Sequence, residues 1–383
     1  MEALKSRRYQ GLVVVALDAD EAGARSQEKL VEALTEIGID AFGASYPDWW
    51  GRDSETSDAA AVFAEKPEAL RRWLQETLDE AVETRGEEAG APDLSAMGVT
   101  DPLQVLMGLE RGEGAASAVP TGIAGLDEVL SGGLRPGLVV LGGLAGMGKT
   151  TFVLQMADRI AASGRLCLFV SAEMSARELV AKSVARMAGE AGGCAISALE
   201  VMDPALRAGW DARKRGALAA AMEGYRSGVA PFLRFLEPAG QPSAAKIREV
   251  AGAMAAGGEA PVVFVDYVQI LAPLHASMTE KQAVDENVLE LRQMARDLQV
   301  PVVAVSSLNR VSYAAPVGMG SFKESGAIEY GADVLLALQP ARKNASHACD
   351  LVVLKNRYGA APGHDGAVPL AFDSSRGLFE DAR

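Results

Sequence analysis

Cysteine and histidine are scarce, with three of each in 383 residues. Cys167, Cys194 and Cys349 show no C-x-x-C spacing, and His275, His347 and His364 are scattered along the chain. A disulfide framework and a cysteine–histidine zinc site are thereby excluded as organising features. Cys167 lies inside an apolar run and is expected in the core. No apolar run is long enough to span a membrane, and no secretory signal pattern is seen. The expected setting is reducing and cytoplasmic, with no membrane partner. An excess of positive charge is also missing. The 51 acidic residues outweigh the 37 basic ones, for a formal net charge of -14. That excludes a chain coated in cations for nucleic acid or lipid, but leaves room for a local basic channel. What the chain does have is apolar residues, 49% of the total, enough to bury a sizeable core. Its length fits two domains.

One stretch organises the rest. Gly143-Leu144-Ala145-Gly146-Met147-Gly148-Lys149-Thr150 fits G-x-x-x-x-G-K-[ST], the phosphate-binding P-loop. Leu138 to Leu141 leads in as a buried strand, and Thr151 to Ala162 follows with Phe152, Met156 and Ile160 at helical spacing. Glycines let the backbone wrap phosphate oxygens, and the N–H groups that open a helix favour negative charge. Lys149 would reach the terminal phosphates of ATP, and the Thr150 hydroxyl would hold Mg²⁺. Gly143, Gly146, Gly148 and Thr151 complete the nucleotide cradle.

Carboxylates at strand ends come next. Asp266 closes the apolar run Val262 to Val265, where a ligand crevice forms in a parallel sheet and where Mg²⁺ is held beside a P-loop. Glu173 follows the apolar run Cys167 to Val170. A carboxylate there can orient and deprotonate an attacking water; spacing alone permits a helix-capping glutamate equally well. Lys355 and Arg357, after Leu351 to Leu354, are two cations at i, i+2 and share one face of a strand. They can point at phosphate oxygens, as an arginine finger from a neighbouring subunit does, or sit on a solvated edge strand. Residues 301–360 hold six Lys/Arg against four Asp/Glu, a mildly basic stretch in an acidic chain. Within it, Arg310 to Glu324 is a candidate DNA-contacting loop.

After the P-loop, strand and helix patterns alternate. Strands are predicted at 166–170, 232–236, 262–265, 302–305, 334–338 and 351–354, and helices at 176–188, 242–256 and 281–298. This is α/β alternation with a mainly parallel sheet. Ahead of it, residues 11–17 read as a buried strand, 24–37 as an amphipathic helix and 40–44 as a second strand. An acidic stretch, a glycine- and proline-containing linker and a short helix at 102–111 follow.

The motifs in order resemble DnaB-type replicative helicases. The matching segments are Thr121-Gly122-Ile123, Gly132 to Gly137, Gly146 to Phe152, Ser171-Ala172-Glu173-Met174 and Asp266-Tyr267-Val268-Gln269-Ile270-Leu271. They continue with Ser306-Ser307-Leu308-Asn309-Arg310, Lys323-Glu324-Ser325-Gly326 and Lys355-Asn356-Arg357-Tyr358-Gly359. The resemblance covers 120–383 and implies a RecA-like P-loop ATPase domain. It implies a ring, usually a hexamer, with ATP at subunit interfaces and single-stranded DNA in the channel. It places Lys149, Thr150, Asp266 and Gln269 at ATP, Glu173 as the water-activating residue, and Lys355 and Arg357 in trans. Arg310, Lys323, Glu324 and Gly326 would contact DNA. Two departures are visible. Ser307 stands where the family has a glutamine that links the γ-phosphate to the DNA loop, and the helical N-terminal collar is absent. Instead, Ala16-Leu17-Asp18-Ala19-Asp20-Glu21 resembles the Asp-x-Asp motif of TOPRIM domains in phage primase–helicases, which implies tentative Mg²⁺ binding by Asp18 and Asp20. The upstream strand with its catalytic glutamate is not seen, so 1–84 is expected to be an incomplete TOPRIM-like α/β segment, joined by 85–119 to the ATPase domain. A helicase of a mobile or phage-like replicon, with a primase or loader as possible partner, is the leading expectation. A RadA- or RecA-like recombination ATPase and a non-unwinding, ATP-gated DNA-binding or loading factor are the alternatives.

Overall fold

A computed structural model describes residues 13–17, 21–36, 39, 41–47, 67–88, 100, 102–111, 117–237, 240–308, 317–322, 325–341 and 349–382. The chain divides into two compact units, Met1–Glu113 and Gly114–Arg383. Asp18 and Asp20 lie outside the described residues, as do Arg310, Lys323 and Glu324.

In the first unit, β1 (Val13–Val15) pairs parallel with β2 (Ala41–Gly43), and α1 (Glu21–Glu36) makes the crossover. Leu34 of α1 packs on Val15 and Ile39. The second helix, α2 (Pro67–Glu88), buries Leu70 and Trp73 against Ala44; the Trp73 indole N–H donates to Ser45 O at 2.7 Å. A short helix, α3 (Pro102–Glu110), ends the unit.

The second unit opens with α4 (Ala124–Val129) and β3 (Gly137–Gly143), then α5 (Lys149–Ala162), β4 (Cys167–Ser171) and α6 (Ala176–Gly192). Next come α7 (Ala198–Met202), α8 (Ala212–Gly224), β5 (Leu233–Leu236), α9 (Ala244–Ala256) and β6 (Val262–Asp266). The unit continues with α10 (Glu280–Asp297), β7 (Pro301–Ser307), α11 (Ser325–Gly331), β8 (Val334–Pro340), β9 (Cys349–Asn356), β10 (Gly363–Asp373) and β11 (Leu378–Asp381). Among the described residues, nine strands form one sheet in the order β11-β10-β9-β8-β3-β7-β6-β4-β5. The block from β8 to β5 is parallel, and β9, β10 and β11 add on antiparallel. The mainly parallel α/β expectation is met.

Alternation along β3 builds the three layers. Val139 and Leu141 face Phe152, Met156 and Leu179 of α5 and α6. Leu138 and Val140 face Ile247, Val288 and Leu291 of α9 and α10. Adjacent side chains of a strand point to opposite faces, so a strand covered on both sides must be apolar throughout. Ser175 caps α6 with Glu178 in a capping box, and Thr279 does the same for α10 with Gln282.

The sequence reading placed no element in 198–229 or 363–381. The first span holds α7 and α8, whose apolar positions are too sparse to show a helical stripe. The second is the β10–β11 hairpin, which is bound to the P-loop helix. The Gln155 side chain donates to Phe379 O at 2.7 Å and accepts from Phe379 N at 2.8 Å. Phe379 meets Phe152 edge-on at 5.1 Å and stacks on Phe372 at 4.2 Å. The edge-strand alternative for β9 fails, because β9 is paired on both sides. Phe379→Ala would open a cavity in a fully buried cluster, so we expect a loss of about 3–5 kcal/mol. Urea unfolding checks this, and a loss under about 1 kcal/mol would mean the hairpin is not anchored by that ring.

Candidate active site

The P-loop leaves the C-terminal end of β3 and runs into α5. Gly146 and Gly148 take φ of 79° and 81°, the left-handed region that favours glycine. A Cβ on Gly148 would come within 2.9 Å of the Phe372 and Phe379 rings. At Gly146 a Cβ would meet nothing within 4 Å, so that backbone faces open space. The N–H groups at the start of α5 have no side-chain cap, which leaves them for an anion.

Three charged groups surround this turn. Lys149 Nζ donates to Gly143 O at 3.0 Å and to Leu144 O at 3.2 Å. Burial lowers its pKa from the ordinary lysine value, while the Asp266 and Glu173 carboxylates act in the opposite sense. Asp266, at the end of β6, is 2% exposed. Burial pushes its carboxyl up to about 6, with Glu173 adding to the rise, against the pull of a hydrogen bond to the Thr150 hydroxyl and the charge of Lys149. Its Oδ2 is buried and lacks a hydrogen-bond partner. A buried acid with a vacant lone pair beside a hydroxyl is the donor set a hard dication takes, so Asp266 and Thr150 fit Mg²⁺. Glu173 is exposed and stands two residues before the helix cap. The capping role belongs to Ser175 and Glu178, and the Glu173 charge acts on both Lys149 and Asp266.

Gln269 lies beside the end of β7. Its Nε2 donates to Ser306 Oγ at 2.9 Å, and Ser307 N donates to its Oε1 at 3.4 Å. Ser307 is paired in register with Gly143, so Gln269 is one strand away from the P-loop. With Tyr267 and Ser307 it lines a cleft of about 420 Å³. Thr151 accepts from Lys182 Nζ at 3.4 Å; Lys182 was not singled out from the sequence, because one lysine in a helix carries no pattern.

Lys355 and Arg357 sit elsewhere. Lys355 Nζ donates to Glu329 O at 2.7 Å, and Arg357 donates to Asp333 Oδ1 and Tyr330 O, each at 3.1 Å. Asp333 in turn accepts from Leu138 N at 2.9 Å, and the Tyr358 hydroxyl donates to Pro136 O at 2.6 Å. These contacts gather the cations at the end where β3 begins, whereas the P-loop is where β3 ends. Seven residues of strand separate the two, roughly 20 Å at about 3.3 Å per residue. Gly326, exposed in the first turn of α11, is the one DNA-loop candidate among the described residues. Among those residues no helix is long and apolar enough to cross a membrane, and no His/Cys/Asp/Glu group of metal-binding size occurs.

The family profile described as DnaB-like helicase C terminal domain matches residues 118–381. A protein named replicative DNA helicase DnaB from Treponema pallidum (strain Nichols) is 27% identical over 273 residues, covering 69% of this chain and 56% of that protein. Replicative DNA helicase DnaC of Bacillus subtilis (strain 168) is 28% identical over 281 residues, with the same two coverages. The chain thus spans little more than half the length of these relatives. Among solved structures, a DnaB-like replicative helicase described with its primase interactions superposes with a TM-score of 0.63 at 22% identity, covering 94% of this chain and 86% of that one. That likeness supports the fold.

The raised Asp266 carboxyl makes a pH prediction for the nucleotide- and metal-free protein. Its folded pKa, about 6, exceeds the ordinary 3.8, so the folded chain holds the proton more tightly and loses stability as pH rises through that window. The loss above pH 6 is on the order of 2–3 kcal/mol. Asp266→Asn is therefore expected to raise Tm at pH 8, with the gain fading by pH 4, while abolishing Mg²⁺-dependent turnover. A lower Tm at pH 8, or a gain that ignores pH, would overturn the assignment of burial as the cause.

Proposed function

The chain belongs to the DnaB-like helicase C-terminal domain family, and from that premise we propose that it is an ATP-dependent DNA helicase motor acting on single-stranded DNA in replication. Its ATP site is completed by a second copy. The observation that carries this is the separation of the P-loop from Lys355 and Arg357. A cation pair at the far edge of the sheet reaches phosphate only in an adjacent molecule, in a head-to-tail contact that closes into a ring, here six copies.

In this reading the Gly146 and Gly148 backbone and Lys149 bind the β- and γ-phosphates. Thr150 and Asp266 hold Mg²⁺, which when bound neutralises charge on the phosphate oxygens. Glu173 orients the attacking water and accepts its proton. Lys355 and Arg357 of the next copy stabilise charge on the transferred phosphoryl group. Gly326, together with Arg310, Lys323 and Glu324, follows the DNA backbone. The parallel β1–α1–β2 unit supports a TOPRIM-like reading of residues 1–84, with a primase or loader as a further partner in the cytoplasm. A second reading, an ATP-gated DNA-binding factor that does not unwind, is favoured by Ser307, which is too short to span from β7 to a phosphate.

Two tests apply. With ATP and a forked substrate, the wild-type chain is expected to displace a strand; DNA-stimulated ATPase with no displacement selects the second reading. Arg357→Ala should still bind nucleotide but lose ATPase by about 100-fold or more. An equal mixture with Glu173→Gln should recover activity, because each variant lacks a different half of the site. If the mixture stays as inactive as its components, the intersubunit site is wrong.

A further inference from the structure

The edge that carries Lys355 and Arg357 holds a third cation that the intersubunit reading has not used. Arg292 is placed there by packing. Val288, one turn earlier on α10, abuts Gly331, the last residue of α11. Residues four apart share a helix face, so Arg292 lies beside the end of α11, whose Glu329 and Tyr330 carbonyls hold Lys355 and Arg357. Its charge is felt at both neighbours on that edge: it helps to lower the pKa of the Lys355 ammonium, after burial and Arg357, and acts on Tyr358 as well.

The Nε of Arg292 is buried, and among the described residues no carboxylate or other acceptor takes its hydrogen bond, although the Glu329 charge acts on the neighbouring Lys355. Asp333 is engaged by Arg357 and by Leu138 N. Asp297, which lines the same open cleft as Arg292, is ion-paired with Arg248. An unpaired guanidinium nitrogen out of water is costly, and a cluster of like charges raises that cost. Large side chains are exposed around it: Leu289 at 54%, Tyr330 at 74% and Tyr358 at 42%. Exposed aliphatic and aromatic groups around an unsatisfied arginine are the composition of a protein interface rather than of a solvated surface.

We propose that Arg292 is a third cation of the intersubunit site, offered with Lys355 and Arg357 to the polyphosphate held by the P-loop of a second copy. This rests on the trans reading of Lys355 and Arg357. Arginine suits the role because its planar donors bind phosphate oxygens bidentately. It also explains why three cations stand together where Asp333 is already engaged by Arg357: further negative charge arrives with the neighbour's nucleotide.

The test is complementation of single-stranded-DNA-stimulated ATPase. Arg292→Ala is expected to lower turnover about 10-fold, short of the roughly 100-fold or more that a lone preorganised donor contributes, because Lys355 and Arg357 remain. Arg292→Lys, which keeps the charge but not the planar fork, should recover only part of the lost turnover. An equal mixture of Arg292→Ala with Glu173→Gln should exceed either variant alone several-fold. A defect confined to the folding of the Arg292 subunit would not be repaired this way. If Arg292→Ala proves insoluble, Arg292→Gln keeps the side-chain volume and carries the same measurement. Unchanged turnover in the Arg292 variant overturns the inference. So does a mixture that stays inactive while the Arg357→Ala mixture recovers, since Arg292 would then act within its own subunit. Failure of both mixtures sinks the intersubunit site and this inference with it.

Discussion

A parallel strand delivers its two ends to opposite edges of a sheet, and this constraint arranges all the chemistry of the second unit. β3 begins at Gly137 beside Asp333 and Tyr358 and ends at Gly143 in the P-loop. Because β4, β6 and β7 run the same way, Glu173, Asp266 and Ser307 arrive at the P-loop edge without any long-range design of their side chains. Because β9 runs the other way, Lys355 and Arg357 arrive at the opposite edge. One reversal of strand direction therefore puts Glu173 and Asp266 at one edge and Lys355 and Arg357 at the other. On the intersubunit reading, these two edges are the complementary faces of a head-to-tail contact whose rotation closes a ring.

Holding these charges has a cost that the fold meets locally. Burial alone drives Asp266 toward its neutral form and Lys149 toward its own. Each partly restores the other, since opposite charges a few ångströms apart favour ionisation of both. The Lys149 ammonium is also held by P-loop carbonyls. A dication at Asp266 and phosphates at Lys149 would replace these compromises with stronger partners, so binding energy is released where the free protein is least comfortable. Stability given up at a site of this kind is a general feature of active sites.

Much of this was legible in the sequence. The P-loop is a local motif whose flanks, strand and helix, are both strong patterns, and apolar runs of four or five residues marked the parallel strands well. Glu173 was not resolved by spacing, because a glutamate before a helix fits a cap as readily as a catalytic base; the Ser175–Glu178 box takes the capping role away from it. The β10–β11 hairpin escaped notice because its burial alternates unevenly and Pro369 interrupts it. Arg292 left no trace either. Its meaning comes from α11 lying next to α10 and from β9 ending nearby, contacts between segments about 40 and 65 residues apart in sequence that no helical pattern encodes.

Ser307 shows how a departure from family pattern is absorbed. The position is in register with Gly143, so whatever occupies it touches the strand that carries the P-loop. Serine cannot extend an amide toward the nucleotide edge, but Gln269, which follows the Asp266 strand, places an amide against Ser306 and the Ser307 backbone. Both hydrogen-bonding ends of that amide are used, one on a hydroxyl and one on a main-chain N–H. Residue 307 itself has no side chain that reaches the nucleotide edge, so the side-chain link between the Asp266 segment and β7 is the Gln269 amide.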